Sequence, residues 1–267
     1  MPNGILIIDK PAGWTSMDVC AKIRGILREK RVGHGGTLDP MATGVLPVFV
    51  GRATRAVEFA ENGRKEYRAG LRLGLVTDTQ DVTGTILETR PVTAGREEVE
   101  AALAGFRGEL RQIPPMYSAV KIQGKKLYEL ARQGREVERK PRSVTIHALE
   151  LLEAESETDY RLRCLCSKGT YIRTLCHDLG QALGCGGALY SLRRTMAAGF
   201  TLAEAVTLED LQEQGESLLR PLDSLFVHYP ALTVRSPGQE KRVRCGNPIA
   251  LPGTADGTYR VYGREGD

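Results

Sequence analysis

The chain contains segments with a two-residue apolar period and segments with a period of three to four residues. ILIID at 5–9 is an apolar run typical of a buried strand, and apolar side chains alternate with polar or small ones from Tyr67 to Leu73. A turn containing Gly and Asp leads from there into TILETR at 85–90, which predicts that this segment returns as a hairpin partner. Tyr160 to Cys166 is expected to form another strand.

Three segments have the spacing of helices. Asp18 follows Thr15 by three positions, the spacing of a capping box, so a helix is expected to begin there. A second helix is predicted from Val99 to Leu110 by its apolar positions. A third is expected from Thr170, as its N-cap, to Gly184, with Arg173 outside its apolar face.

Helices and strands are interleaved without the regular alternation of a parallel βαβ protein, so the predicted fold class is α+β. After Tyr229 and Pro230 the pattern changes to short apolar segments separated by Pro and Gly. We therefore expect a large domain over 1–230 and a second, small β-rich domain over 231–267.

The charged residues of the chain indicate one candidate binding region. The 267 residues carry a formal net charge of +4, a mild basic bias that permits an anionic partner without demonstrating one. From Lys121 to Arg142, however, eight Lys or Arg residues face three Glu, so this stretch alone has a net charge of +5. The basicity is therefore local, as expected for a binding patch or for a solvated charged face.

Cysteine content and the first residues narrow the class of protein. A chain of this length does not need disulfides to fold, so the six cysteines are expected to be reduced thiols. Cys164 and Cys166 alternate on a predicted strand and lack zinc-site spacing, so no metal is expected. The apolar run before Asp9 is too short for a signal-peptide core or a membrane span, which predicts a cytoplasmic protein without membrane contact.

The segment GHGGTLDPMATGVLPV at 33–48 carries the most chemical information. Its glycines leave room for close approach of a ligand, while Pro40 disfavours a helical conformation at Asp39 and presents that carboxylate in an extended loop. A phosphate-binding P-loop would need Gly-Lys-Ser or Gly-Lys-Thr opening a helix, which is missing here. From these residues alone, a structural turn and a catalytic loop both stay open.

The same segment resembles the catalytic motif of the TruB-type pseudouridine synthases. Further matches, in family order, are DKPAGWTS at 9–16, KEYRAGLRLGLVTDTQDVTG at 65–84, PPMYSAVKIQGKKLYELAR at 114–132, CSKGTYIRTLCHDLG at 166–180 and LRRT at 192–195. One departure is Gly35, where members of the family usually carry Thr or Ser, and this puts a local hydrogen bond in doubt. The resemblance covers most of residues 1–230 and implies a pseudouridine synthase fold, with a mixed sheet and flanking helices.

The resemblance also implies residue roles. Asp39 is the catalytic carboxylate, Tyr67 stacks on the uracil and can assist removal of the C5 proton, and Arg173 is the cation that keeps Asp39 ionised. Its guanidinium can hold a carboxylate through two hydrogen bonds. The resemblance leaves open whether Asp39 attacks the sugar, attacks the base or removes a sugar proton. The reaction rearranges atoms without adding or oxidising any, so no cofactor is expected.

The implied substrate-binding residues fall into two groups. His34 is the expected wedge that replaces a flipped nucleotide, and Leu192 the expected wall of the base pocket, each with a purely structural role as the alternative. The group near the pocket is His34, Gly36, Thr37, Leu38, Tyr171, Leu192 and Lys10. The basic group lies in a thumb segment over 117–143, expected to close on RNA, and comprises Lys121, Lys125, Lys126, Arg132, Arg139 and Lys140.

The implied function is isomerisation of uridine 55 to pseudouridine in the TψC loop of tRNA, by base flipping and with no obligatory protein partner. The implied C-terminal module is PUA-like, and residues 231–267 are few for such a domain, so it is expected to be shortened or incomplete. Two alternatives stay open: a guide-dependent synthase acting on ribosomal RNA, and a non-catalytic tRNA-binding or folding chaperone. The three residues Asp39, Tyr67 and Arg173 together argue against the chaperone.

Overall fold

The alternating and helical segments assemble around a mixed sheet in a computed structural model that describes residues 1–251 and 253–266. The strands are β1 Gly4–Lys10, β2 Val32–His34, β3 Thr43–Val50, β4 Lys65–Leu73, β5 Leu75–Thr77, β6 Ile86–Thr89, β7 Gly108–Gln112, β8 Lys121–Ile122, β9 Lys125–Lys126, β10 Arg142–Ala154, β11 Asp159–Cys166, β12 Gly187–Ala197, β13 Phe200–Thr201, β14 Ala231–Thr233 and β15 Arg260–Tyr262. The helices are α1 Ser16–Leu27, α2 Val57–Asn62, α3 Arg96–Leu103, α4 Leu127–Ala131, α5 Ile172–Ala182, α6 Leu208–Gln214 and α7 Pro237–Arg244. The predicted α+β class is confirmed.

The chain divides into two units, Met1–Leu219 and Arg220–Asp267. The first unit contains a nine-stranded sheet in the order β1-β3-β12-β4-β11-β10-β7, with β2 added to β3 and β13 to β12. Helices α1 and α6 pack on the β1–β3 part, and α3 and α5 pack on β4, β10, β11 and β12. Among the described residues, one apolar cluster therefore lies against each of these two parts of the sheet.

A parallel pairing joins these two parts of the sheet. Strands β3 and β12 run parallel, with Thr43 opposite Arg193 and Gly44 opposite Arg194, whereas the other pairs along the path are antiparallel. Gly44 has a φ of +101°, and a Cβ there would lie 2.2 Å from the Arg194 carbonyl oxygen. A larger residue would therefore push these two strands apart.

Local signals predicted several elements correctly. ILIID lies in β1, Tyr67 to Leu73 lies in β4, and α1 begins at the predicted capping box. The Thr15 N–H donates to Asp18 Oδ2 at 2.8 Å, and the Asp18 N–H donates to Thr15 Oγ1 at 3.1 Å. These bonds satisfy donors that a helix start would otherwise leave free.

Three local predictions were wrong. TILETR does not return on β4, because both edges of β4 are occupied by β11 and β12; β6 pairs with β5 instead. Helix α3 ends at Leu103, and Leu110 belongs to β7, which begins at Gly108 with a φ of +86°. Thr170 is not the N-cap of α5, since its hydroxyl donates to the Ser167 carbonyl and Tyr171 occupies the cap position.

The second unit contains β14, α7 and β15 among its described residues, and the two strands pair in parallel. Helix α7 was not predicted from the sequence, although Ser236 caps it through the Gln239 N–H and Pro237 follows as its first residue. Within the described part of the chain, no helix is long and apolar enough to cross a membrane. Five described cysteines are buried free thiols, and Cys245 is an exposed one.

Candidate active site

The loop between β2 and β3 is held by hydrogen bonds at both of its ends. The Gly35 N–H donates to the Pro47 carbonyl at 2.8 Å, and the Leu38 N–H donates to the Ser16 hydroxyl at 2.9 Å. Gly36 between them has a φ of +118°, a conformation that L side chains rarely adopt. The glycine-rich segment is therefore a fixed turn that presents Asp39.

Lys10 lies behind this loop. Its Nζ donates to the carbonyl groups of Pro11 at 2.8 Å, Trp14 at 2.6 Å and Pro40 at 3.3 Å. Burial lowers the pKa of the Lys10 ammonium to about 8, while the nearby Asp39 charge acts in the opposite direction. Sequence reasoning placed Lys10 among the substrate-binding residues, whereas the structure surrounds its amino group with backbone carbonyls and lets it hold the Asp39 loop.

Asp39 and Arg173 lie in contact, as the family resemblance implied. Arg173 Nε lies 2.9 Å from Asp39 Oδ2; Arg173 is 5% exposed at its side chain and Asp39 is 37% exposed. The terminal nitrogens of Arg173 donate to the carbonyl groups of Thr79 at 3.0 Å and Tyr117 at 2.8 Å. Arg173 is thus a fixed buried cation, and Asp39 is a carboxylate with one side still open.

A second carboxylate, which sequence reasoning did not identify, faces the same cation. Asp81 Oδ2 lies 3.8 Å from Arg173 Nε, and Asp81 is buried. Its Oδ1 accepts from the Thr79 hydroxyl at 2.9 Å and from the Thr83 N–H at 2.9 Å. The only signal for this arrangement was TDTQDVTG at 77–84, where threonines flank the acid. Asp81 is therefore a second, buried anion beside Arg173.

Asp39 and Arg173 lie on the wall of a cavity of about 430 Å³. Of the residues that sequence reasoning assigned to the site, those that line it are Gly36, Thr37, Leu38, Asp39, Tyr67, Tyr171, Arg173 and Leu192. The structure adds Lys65, Ser118 and Lys168, which had not been singled out. Segments distant in the sequence therefore converge on one concave site, the usual location of small-substrate chemistry.

Tyr67 forms part of the cavity wall in β4, opposite Arg194 in β12. Burial raises the pKa of the Tyr67 phenol to about 12, and the Arg194 guanidinium beside it opposes that rise. Arg194 is 0% exposed and donates to the carbonyl groups of Val45 at 2.7 Å and Gly36 at 3.0 Å. It thus connects Tyr67 with the Asp39 loop. Sequence reasoning missed this role, although Arg194 lies in the LRRT motif.

His34 does not line the cavity among the described residues. It ends β2 opposite Val48, and its Nδ1 is buried without a hydrogen-bond partner. Burial, followed by the charge of Arg194, lowers the pKa of the His34 imidazole. Beside it, a Cβ at Gly35 would lie 2.8 Å from the Ala60 Cβ, so close packing accompanies the departure from the family pattern at that position.

The thumb segment, residues 117–143, contains the hairpin of β8 and β9 followed by α4. Lys121, Lys125 and Lys140 are exposed, and Lys126 Nζ and the Arg132 guanidinium lie 5.3 and 5.4 Å from the Tyr128 ring centre. These two contacts are cation–π interactions.

Arg139 of the thumb donates to the Pro114 carbonyl at 3.2 Å and to Glu136 at 2.8 Å. None of the six predicted basic residues lines the cavity of about 430 Å³ in the described structure. The thumb therefore supplies a positive surface that is separate from the cavity. It begins at Tyr117, whose carbonyl accepts a hydrogen bond from Arg173.

Comparison with known proteins agrees with this geometry. Residues 24–172 match the model of the TruB family pseudouridylate synthase N-terminal domain, and residues 173–227 match that of the tRNA pseudouridylate synthase B C-terminal domain. The chain is 49% identical over 265 residues to tRNA pseudouridine synthase B of Alkaliphilus oremlandii, covering 98% of this chain and 88% of that protein. It is 46% identical over 273 residues to the protein of the same name from Pseudomonas syringae, covering 99% and 89%.

Among solved structures, the chain resembles the crystal structure of a Cbf5-Nop10-Gar1 complex, with a TM-score of 0.75 and 29% identity over 99% of this chain and 76% of that one. It also resembles an H/ACA RNP bound to a substrate RNA containing 2′-deoxyuridine, with a TM-score of 0.74 and 27% identity, covering 99% and 75%. The family models match more than half of the sequence, and the curated relatives are matched along most of their length. The chain therefore belongs to the TruB family of pseudouridylate synthases.

Proposed function

We propose that the protein converts uridine 55 in the TψC loop of tRNA to pseudouridine. The observation that carries this proposal is the Asp39–Arg173 contact of 2.9 Å on the wall of the 430 Å³ cavity. The names of the relatives that are 46% and 49% identical support tRNA as the substrate. The target position rests on the family resemblance of the motifs around Asp39, Tyr67 and Arg173.

The reaction breaks the bond from ribose C1′ to uracil N1, turns the base and joins C1′ to C5. C5 loses its proton and N1 gains one, so product and substrate have the same atoms. Asp39 acts as a nucleophile at the sugar or base, or as the base that removes a sugar proton. All of these roles need an ionised carboxylate with an open side, and Asp39 combines exposure with a cation held beside it.

Tyr67 and Leu192 suit a flipped base. Both line the cavity, and an aromatic ring there can stack on the uracil. A uridine inside a folded RNA arm is not accessible to Asp39, so it must leave the stack at a cost of about a few kcal/mol. At neutral pH a phenol with a pKa of about 12 keeps its proton, so Tyr67 can accept the C5 proton only after losing its own, a loss that the charge of Arg194 favours.

We assign tRNA backbone binding to the exposed lysines of the thumb, Lys121, Lys125 and Lys140, since phosphate contacts need accessible cations. His34, buried at its Nδ1, serves as the wedge only if the loop moves on RNA binding. A PUA-like module over 231–267, a cytoplasmic location and independence from protein partners stay predictions.

An unmodified tRNA transcript, incubated with the purified chain alone and mapped for pseudouridine, tests the proposal. Conversion confined to position 55 is the expected result. Activity only after addition of a guide RNA and partner proteins would favour the ribosomal RNA alternative. The need for partner proteins is the part of that alternative that the similarity to a Cbf5-Nop10-Gar1 complex, at 29% identity, supports. Tight binding of tRNA without any conversion would instead indicate the chaperone.

A further inference from the structure

A buried hydroxyl in the cavity wall lacks a hydrogen-bond partner. Ser118 lines the cavity and is 5% exposed, and its Oγ has no partner among the described residues. A buried hydroxyl without a partner destabilises a folded protein, so such a group in a native site calls for an explanation. A bound ligand that accepts the hydrogen bond of the Ser118 hydroxyl is such an explanation, and the position of Ser118 in the cavity wall favours it.

The backbone at Ser118 is fixed relative to the catalytic pair. The Ser118 N–H donates to the Met116 carbonyl at 2.9 Å, and its carbonyl accepts from the Tyr128 N–H at 3.1 Å. The preceding carbonyl, that of Tyr117, accepts from Arg173 at 2.8 Å. Arg173 in turn holds Asp39, so the serine has a defined place beside the reacting groups.

A serine hydroxyl can meet the edge of a uracil. Uracil presents two exocyclic carbonyl oxygens, O2 and O4, and a hydroxyl supplies one donor. Rotation about χ1 between staggered positions turns the Ser118 hydroxyl towards a base in the cavity without moving the backbone. We propose that Ser118 Oγ donates a hydrogen bond to an exocyclic carbonyl oxygen of the flipped uracil, an inference that rests on the proposed function.

The reaction itself makes this contact useful. When the detached base turns about its N3–C6 axis, C5 takes the place of N1, and at the same time O2 and O4 exchange places. A donor that bonds one carbonyl oxygen in uridine therefore meets the other in pseudouridine. Ser118 keeps its proton throughout and changes no covalent bond. It positions the base in substrate and product, including the interval in which the base is not bonded to the sugar.

The test uses three ligated tRNAs that carry uridine, 2-thiouridine or 4-thiouridine at the target position, because a thiocarbonyl sulfur is a weak acceptor. Conversion is measured with the enzyme in excess, for the parent protein, Ser118→Ala and the exposed-serine control Ser217→Ala, which lies outside the thumb and the cavity. Ser118→Ala is expected to slow conversion of the uridine tRNA about 3- to 10-fold, and Ser217→Ala to leave it unchanged. Ser118→Cys, which keeps the side-chain size with a weak donor, is expected to match Ser118→Ala.

The decisive result is a failure of additivity. With the thio-substituted tRNA that lacks the bonded oxygen, the parent protein is slowed and Ser118→Ala costs nothing further. An equal effect of Ser118→Ala on all three tRNAs would assign the serine a structural role and overturn the proposal. Normal conversion of the uridine tRNA by Ser118→Ala and Ser118→Cys would overturn it as well. Failure of the parent protein to convert the uridine tRNA would overturn the proposed function itself.

Discussion

Arg173 contacts Asp39 through Nε, at 2.9 Å from Oδ2, while both of its terminal nitrogens donate to backbone carbonyls. Arg173 therefore does not hold Asp39 through the two hydrogen bonds that the sequence had suggested, because its other donors bond to the carbonyl groups of Thr79 and Tyr117. Asp39 contacts Arg173 through Oδ2, and its second oxygen has no partner among the described residues and is accessible to substrate. The carbonyl contacts set the direction of the guanidinium, so its position does not depend on Asp39.

Replacing Asp39 by Asn tests the centre of the mechanism. Asn has nearly the same shape, so the turn held by Leu38 and Ser16 should persist, but a neutral amide is a poor nucleophile and a poor base. Single-turnover conversion should fall roughly 10²-fold or more, with tRNA affinity similar or slightly higher. The exposed Asp256→Asn is the matched control. Residual conversion within about tenfold of that of the parent protein would show that the Asp39 loop is only a structural turn.

Tyr67→Phe separates stacking from proton transfer. The ring stays, so the stacking of roughly 1–3 kcal/mol per base should persist and tRNA binding should change little. The hydroxyl beside Arg194 is removed, so conversion should collapse if it takes part in proton transfer. Filter binding and single-turnover conversion on the same preparation measure both effects. Normal turnover would show that Tyr67 is only a platform.

Arg194→Met should damage both the fold and the site. The substitution leaves the carbonyl groups of Val45 and Gly36 without their buried donor, at about 1–3 kcal/mol for each. We expect a lower free energy of unfolding in urea and a slower conversion, since the Asp39 loop loses its anchor. Stability and conversion equal to those of the parent protein would contradict this role of Arg194.

The thumb lysines should control salt dependence more than chemistry. Changing Lys121, Lys125 and Lys140 to Gln should weaken tRNA binding and reduce the slope of log affinity against log salt by about 0.7 to 0.9 for each phosphate that is no longer neutralised. Conversion of bound tRNA should change little. The control is a triple change at exposed lysines elsewhere, Lys22, Lys30 and Lys241. Equal affinity of the two triple variants over the salt range would make the thumb a solvated face.

Two partly buried histidines should make stability depend on pH. Burial lowers the pKa of His34 and of His177 below the usual 6.5, so the unfolded chain binds protons in a range where the folded chain does not. The free energy of unfolding should therefore fall as pH decreases below about 6.5 and level off below the folded pKa values. Urea unfolding between pH 7.5 and 5 measures this. In the double variant His34→Gln/His177→Gln, the decrease in the free energy of unfolding between pH 7.5 and 5 should be smaller. A pH profile identical to that of the parent protein would show that these histidines do not cause the decrease.

The sequence predicted what is local or strongly patterned. The capping box at Thr15 and the alternation in β4 need only neighbouring residues, and the motif resemblance selected Asp39, Tyr67 and Arg173, which line one cavity. Asp81 and Arg194 were missed because the role of a buried charge depends on contacts distant in sequence. The boundary at Gly108 and the partner of β6 were missed for a related reason, since strand pairing decides both.

The parallel pairing of β3 with β12 also determines when the cavity can form during synthesis. Asp39, just before β3, leaves the ribosome early, whereas Arg173 and Leu192 belong to segments made near the end of the first unit. Before β12 is available, Thr43 and Gly44 of β3 lack their partners Arg193 and Arg194, although β2 already pairs with residues 48–50 further along the same edge. A nascent chain therefore offers tRNA no formed pocket until most of Met1–Leu219 has been translated.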